Sequence, residues 1–239
     1  MTRILSTGTP RVLILGIGNL LWADEGFGVR AIQYLERHYR FPEQVRILDG
    51  GTQGIYLVQE VREAEVLVVL DAVDYGLPPG TLKRVEGEDV PKFLGVRKIS
   101  LHQTGFQEVL AMAAMLGDYP DHLLLVGVQP VELEDYGGSL RPEVKAQIPA
   151  AIDEVLAWLS RFGIQAEKRE EPLAPATADA LSDMRRYEAE RPPEEVACRK
   201  GDPRVLLAAG GRLRYREPDR AGLSVRLDQH LDAYRSETD

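Results

Sequence analysis

The chain has 239 residues, 44% of them hydrophobic and 28% charged, with a net charge of −9. That is enough for one good-sized core. The acidic balance argues against a general nucleic-acid binder, which needs clustered cations to displace counterions. One cysteine, Cys198, excludes an intramolecular disulfide and any multi-cysteine zinc site. No apolar run approaches the roughly 20 residues that span a bilayer. Residues 1–10 hold one arginine and no apolar stretch, unlike a signal peptide. The expectation is a cytoplasmic protein, independent of membrane and nucleic acid.

Apolar runs of strand length alternate with segments of helical period. Residues 11–17 (RVLILGI) read as a first strand buried on both faces. The pattern then turns helical over 24–38, with Phe27, Ala31, Ile32 and Leu35 on one stripe and Asp24 as its expected N-cap. A second strand over 44–48 ends at Asp49, and the Gly50–Gly51 turn and Thr52 open a short helix to about Arg62. Residues 66–70 form the most hydrophobic strand, stopping at Asp71, and Pro78–Pro79–Gly80 turns into an edge strand over 81–85. Ser100 and Gln103 frame a capping box that starts a helix to about Leu116. A last buried strand spans 122–128, and a closing helix spans 141–162.

This order predicts an α/β fold: a doubly wound, mostly parallel sheet with helices on both faces. After Ile164 the texture changes, with six of the fifteen prolines and few apolar runs. The expected organisation is a domain over 1–164 and a loosely ordered extension over 165–239, with one helix over 178–190 and a hairpin near Gly210–Gly211.

Open parallel sheets collect functional groups beyond the carboxyl ends of their strands, near the switch point. Glu25 follows the first strand, Asp71 ends the third, and His102 stands at a loop-to-helix junction. Two carboxylates and an imidazole suit a first-row transition metal better than magnesium or calcium. The second position of a helix disfavours imidazolium, and ligation needs a neutral ring. Each residue also has an ordinary reading: Glu25 as a first-turn acid, His102 as a structural histidine. Gly16 and Gly18 resemble the start of a dinucleotide fingerprint. Its third glycine is replaced by Leu21, however, and Asp49 comes late for a ribose-binding acid. Cys198 lies in the extension, and neither a Gly-x-Ser-x-Gly elbow nor a His-Glu-x-x-His motif occurs.

Five separated motifs resemble those of the NiFe-hydrogenase maturation endopeptidases. They are GIGNLLWADEGFG over 16–28, DGGT over 49–52, LDA over 70–72, ISLHQ over 99–103 and VGVQP over 126–130. The resemblance covers roughly 11–164 and implies a three-layer fold of the phosphorylase/hydrolase type. It implies a peptidase that removes a C-terminal extension from the large-subunit precursor of a hydrogenase once nickel is in place. It implies Glu25, Asp71 and His102 as both nickel ligands and catalytic residues, with nickel either catalyst or recognition tag and supplied by the precursor. It also implies Asp49, Gly50, Gly51 and Thr52 in cleavage-site recognition, and a monomer. The alternatives are a Rossmann-type nucleotide-binding protein and a non-catalytic nickel-loading checkpoint. The extension exceeds the family's core, and its functional reading is docking of the precursor or of a maturation chaperone.

Overall fold

Five strands form the central sheet of the computed structural model, in the order β3-β1-β4-β6-β5. Residues 9–94, 101–175, 181 and 183–191 are described, without the side chains of 93–94 and 101–104. β1 (Val12–Ile17) is buried throughout and leads through a 3-10 turn (Ala23–Gly26) into α1 (Phe27–His38). β2 (Tyr39–Arg40) is a short outlying strand. β3 (Val45–Gly51) pairs parallel with β1 on the outer side. A second 3-10 turn and α2 (Val58–Glu63) then carry the chain to β4 (Val66–Ala72), which pairs with the other side of β1.

The β1/β4 boundary is therefore the point where successive crossovers part in opposite directions, and a crevice opens at the carboxyl ends of these two strands. β5 (Leu82–Glu86) and the short α3 (Val90–Leu94) precede α4 (Leu101–Met115) and β6 (His122–Val128). β6 is parallel to β4, whereas β5 is the antiparallel edge, as the Pro-Pro-Gly turn before it predicts.

Alternation along the strands sorts the core into two layers. Ile14, Val68, Leu70 and Val126 pack with Phe27, Ile32 and Leu35 of α1 and with Ile152 and Trp158. Leu15, Leu67, Val69 and Leu125 pack instead with Val61, Phe106 and Leu110. Burying each such side chain contributes about 1.5–3 kcal/mol, which is why β1, β4 and β6 carry apolar residues on both faces. The closing helix is interrupted, giving α5 (Pro142–Lys145) and α6 (Ile148–Ser160).

The segment after Ile164 does not behave as a separate appendage where it is described. β7 (Glu167–Lys168) pairs with β2, and the backbone N–H groups of Arg169 and Leu173 donate to the carbonyls of His38 and Arg37. α7 (Met184–Glu190), capped by the Asp183 carboxylate, lies against α1. Arg30 of α1 donates to the Leu181 carbonyl (2.7 Å) and sits over the Tyr187 ring, while Lys145 pairs with Glu188 at 2.8 Å. The expected helix over 178–190 is thus shorter in its described part. The chain divides into units 1–200 and 201–239 rather than after Ile164. The second unit, with the expected hairpin, lies outside the described residues, as does Cys198 of the first. Sequence texture misled here because the contacts are polar: carbonyl oxygens and long cationic side chains replace an apolar stripe.

Candidate active site

The crevice begins with a strained turn. Gly18 has φ +138°, and a Cβ there would stand 1.8 Å from the Glu25 carbonyl oxygen, so only glycine lets the loop fold back on itself. At Gly28 a Cβ would meet the Leu70 and Ile17 carbonyls at 2.1 and 2.3 Å, so the start of α1 lies backbone to backbone across β1 and β4. Between these glycines Ala23 is held at φ +38°, a left-handed conformation that costs a non-glycine residue about 1 kcal/mol or more. This turn delivers Glu25 to the rim. Burial raises the Glu25 carboxyl to about 7.

Asp24 is not the N-cap of α1. It is fully buried and clamps this turn to the segment after β6. Its Oδ2 accepts the N–H groups of Val131 (2.8 Å) and Glu132 (2.9 Å), and its Oδ1 accepts that of Arg141 (2.6 Å). The Asp24 N–H donates to the Glu132 carbonyl, and that of Gly137 to the Leu21 carbonyl. Trp22 bridges to Tyr136, with ring centroids 5.2 Å apart. A residue that reads locally as a cap spends its oxygens on donors more than a hundred positions away, because the α1 N-terminus begins only at Phe27. No local pattern announces such a partner.

Asp71 is the second carboxylate of the rim. It lies within β4, one residue before its end, and is wholly buried. It forms one cross-sheet row with Gly127 of β6 and Lys83 of β5. The missing side chain at Gly127 is filled by Tyr75, whose Oη would stand 2.4 Å from a Cβ there. Lys83 Nζ lies 5.2 Å from the Tyr75 ring centroid. The Tyr75 phenol is raised by burial and then by the charge of Asp71, so the hydroxyl keeps its proton beside that carboxylate. Gln129 secures the loop: its Oε1 accepts from the N–H groups of Tyr75 (2.8 Å) and Leu77 (3.1 Å), and its Nε2 donates to Asp74 (2.9 Å). Gln129 stands in the VGVQP motif, whereas Tyr75 and Lys83 escape a reading by motif because their meeting depends on β6 lying between β4 and β5.

His102 is the second residue of α4, and its side chain lies outside the described residues, as does the capping Ser100. α4 packs closely against the turn after β3, where a Cβ at Gly105 would be 3.4 Å from the Gly54 Cα. Among the described residues no three His, Cys, Asp or Glu side chains group closely enough for a metal; the trio with His102 falls outside that set. The DGGT segment closes β3. Asp49 Oδ1 accepts the Gly51 N–H (2.9 Å), and its carbonyl accepts Gln53 Nε2 (3.2 Å). Asp49 is exposed and lies on the α1 side of the sheet, where the charge of Arg30 acts on it; Asp71 occupies the opposite face. Glu25 follows β1 and Asp71 stands near the end of β4, the strands on either side of the switch point, whereas Asp49 stands beyond β1 on the outer strand.

A phosphate cradle is a poor description of this rim. The Gly18 N–H donates to the Gly51 carbonyl, and the Glu25 carbonyl fills the space against Gly18. The donors available instead are carboxylate oxygens, one of them too poorly hydrated to ionise readily. A cation would relieve that cost, so the oxygens present fit a divalent transition metal completed by an imidazole.

The family model described as hydrogenase maturation protease matches residues 29–158. The hydrogenase expression/formation protein HupD of Thiocapsa roseopersicina is 62% identical over 205 residues, 85% of this chain and 93% of its own. The solved hydrogenase maturating endopeptidase HybD from E. coli superposes with a TM-score of 0.64 at 41% identity, covering 66% of this chain and 98% of its own. The [NiFe] hydrogenase maturation protease HybD from Thermococcus kodakarensis gives a TM-score of 0.51 at 28% identity, covering 62% of this chain and 98% of its own. Fold, crevice and relatives agree: the chain belongs to the hydrogenase maturation protease family and is an endopeptidase.

Proposed function

We propose that this endopeptidase removes the C-terminal extension of the nickel-loaded large-subunit precursor of a NiFe hydrogenase, with Glu25, Asp71 and His102 receiving the precursor's nickel. The observation that carries this reading is that Glu25 follows β1 and Asp71 stands near the end of β4, the two strands that flank the switch point; His102, in the first turn of α4, would complete the set. Nickel here is part of the substrate. When held in the crevice it supplies Lewis-acid polarisation of the scissile carbonyl or of a water.

The chain's own residues do the rest. Asp24 holds the turn that aims Glu25, so the carboxylate meets its target without reorganising. In a second version Glu25, its carboxyl raised to about 7 by burial while no cation is bound, accepts a proton from the attacking water as a general base instead of holding the metal. Asp71 lies wholly buried at the floor, beside a tyrosine whose phenol is kept from ionising by burial. Asp49, Gly50, Gly51 and Thr52 contact the chain around the cleavage site. The enzyme acts as a cytoplasmic monomer, and the extended C-terminal region assists docking of the precursor or a maturation chaperone. No helix among the described residues is long and apolar enough to cross a membrane, in keeping with that location.

The test is incubation with nickel-loaded and nickel-free precursor, followed by intact-mass measurement. Loss of the extension from the loaded form alone is expected. Equal cutting of both forms would remove nickel from recognition, and no cutting of either would refute the substrate. Cutting by His102→Ala at the wild-type rate would remove the imidazole from the site.

A further inference from the structure

A cavity of about 460 Å³ lies at the outer edge of the sheet, away from the crevice. Its apolar surface comes from Tyr39 and Phe41, from Val45 and Ile47 of β3, and from Leu173. β3 is an edge strand, so one side of its backbone has no strand partner in the sheet. Three arginines, Arg37, Arg40 and Arg169, line the same cavity with one acid, Glu36. On a chain of net charge −9, that is a local reversal of sign. Arg37 and Arg169 each spend one nitrogen on a backbone carbonyl, of Leu173 and Tyr39 respectively. None of the three forms an ion pair with a described residue. Val45 and Ile47, which line the cavity, belong to the same strand as Asp49.

One wall has a distinct origin. Arg169 and Leu173 belong to the stretch after Ile164. HybD from E. coli is matched over nearly all its length while covering only 66% of this chain, whereas the HupD relative is matched over 205 residues.

We propose that this groove receives the carboxylate-terminated end of the precursor's C-terminal extension, laid extended against the open edge of β3 with its terminal carboxylate among Arg37, Arg40 and Arg169. The proposal rests on the substrate proposed above. Guanidinium groups offer paired donors suited to a carboxylate, and an open strand edge offers main-chain hydrogen bonds to an extended peptide. An extension must end in a carboxylate whatever its sequence, so this contact selects a chain end without needing a side-chain code.

The experiment uses the full-length enzyme, the nickel-loaded precursor, and a synthetic peptide of the extension made as free acid and as C-terminal amide. Arg40→Glu is the principal variant, because the Arg40 side chain is exposed and makes no ion pair with a described residue, while the pairing with Glu167 of β7 is made by its backbone. Arg169→Gln is the second. For Arg40→Glu, KM should rise about tenfold with kcat unchanged, the scale of one charge-assisted contact. Wild type should bind the acid about tenfold more tightly than the amide, and the variant should lose that difference. Unchanged KM in both variants, or equal binding of acid and amide, would overturn the groove assignment. So would a wild-type dimer that Arg40→Glu dissociates, since a second copy would then be the occupant. A wild type that leaves loaded precursor uncut would refute the substrate itself, a result separable from any of these.

Discussion

The β1/β4 crevice and the β3 edge groove lie in one domain but are built in opposite ways. The crevice is made of backbone: a left-handed alanine, two glycines with no space for a Cβ, and a buried aspartate holding three N–H groups. The groove is made of long cationic side chains over an apolar floor, with three of its ten lining residues contributed by a late segment of the chain. Chemistry at a peptide bond needs groups held within a fraction of an ångström, which packed backbone supplies. Recognition of a chain end needs charge and reach, which arginines supply without rigidity. The contrast teaches that the first region is expected to tolerate almost no change, and the second to change by degrees.

The largest effect should come from Glu25→Gln, which leaves the shape intact and removes the base. Processing should fall by about 10²–10³ or more, the loss typical of a group acting in the transition state, while thermal melting is unchanged. A carbon-13 titration of the wild-type Glu25 carboxyl should show a midpoint near 7, so its ionised fraction grows between pH 6 and 8. A midpoint near the ordinary glutamate value would remove the poised base from the mechanism.

Next comes Asp24→Ala. It strands three backbone donors, and stability should drop by about 3 kcal/mol or more, measured by urea unfolding. A loss below 1 kcal/mol would show that water replaces the clamp. Gly127→Ala should cost about 1–3 kcal/mol, because the new methyl collides with the Tyr75 ring. It should also slow processing, and a fully active, equally stable variant would separate Tyr75 from Asp71.

The smallest effect belongs to α7. Burial pushes the Glu188 carboxyl up, but hydrogen bonds from Lys145 and Ser139 and the charge of Lys145 outweigh it and hold the carboxyl below its ordinary value. A lowered folded-state value means the contribution is complete above the usual glutamate range and is lost as pH falls through the folded value. Wild type should therefore melt slightly above Glu188→Gln at pH 7, by the equivalent of about 1 kcal/mol or less for so exposed a pair, and the gap should close towards pH 3. A gap that persists in acid would assign the difference to packing.

What the sequence determined by itself was everything that depends on near neighbours. Unbroken apolar runs identified β1, β4 and β6, because a central parallel strand must be apolar on both faces. The 3.6-residue stripe of Phe27, Ala31, Ile32 and Leu35 identified the buried side of α1. The same apolar runs placed Glu25 after β1 and Asp71 near the end of β4, since that needs only strand order and direction. The tertiary structure alone decided what each polar side chain faces. Asp24 changed from cap to clamp, Tyr75 came to lie over Gly127, and the segment after Ile164 closed onto α1 through Arg30, Arg37 and Lys145. Apolar burial follows a period along the chain and so leaves a local signature. A hydrogen bond or an ion pair needs one partner at one distance, and that partner can come from anywhere in the sequence.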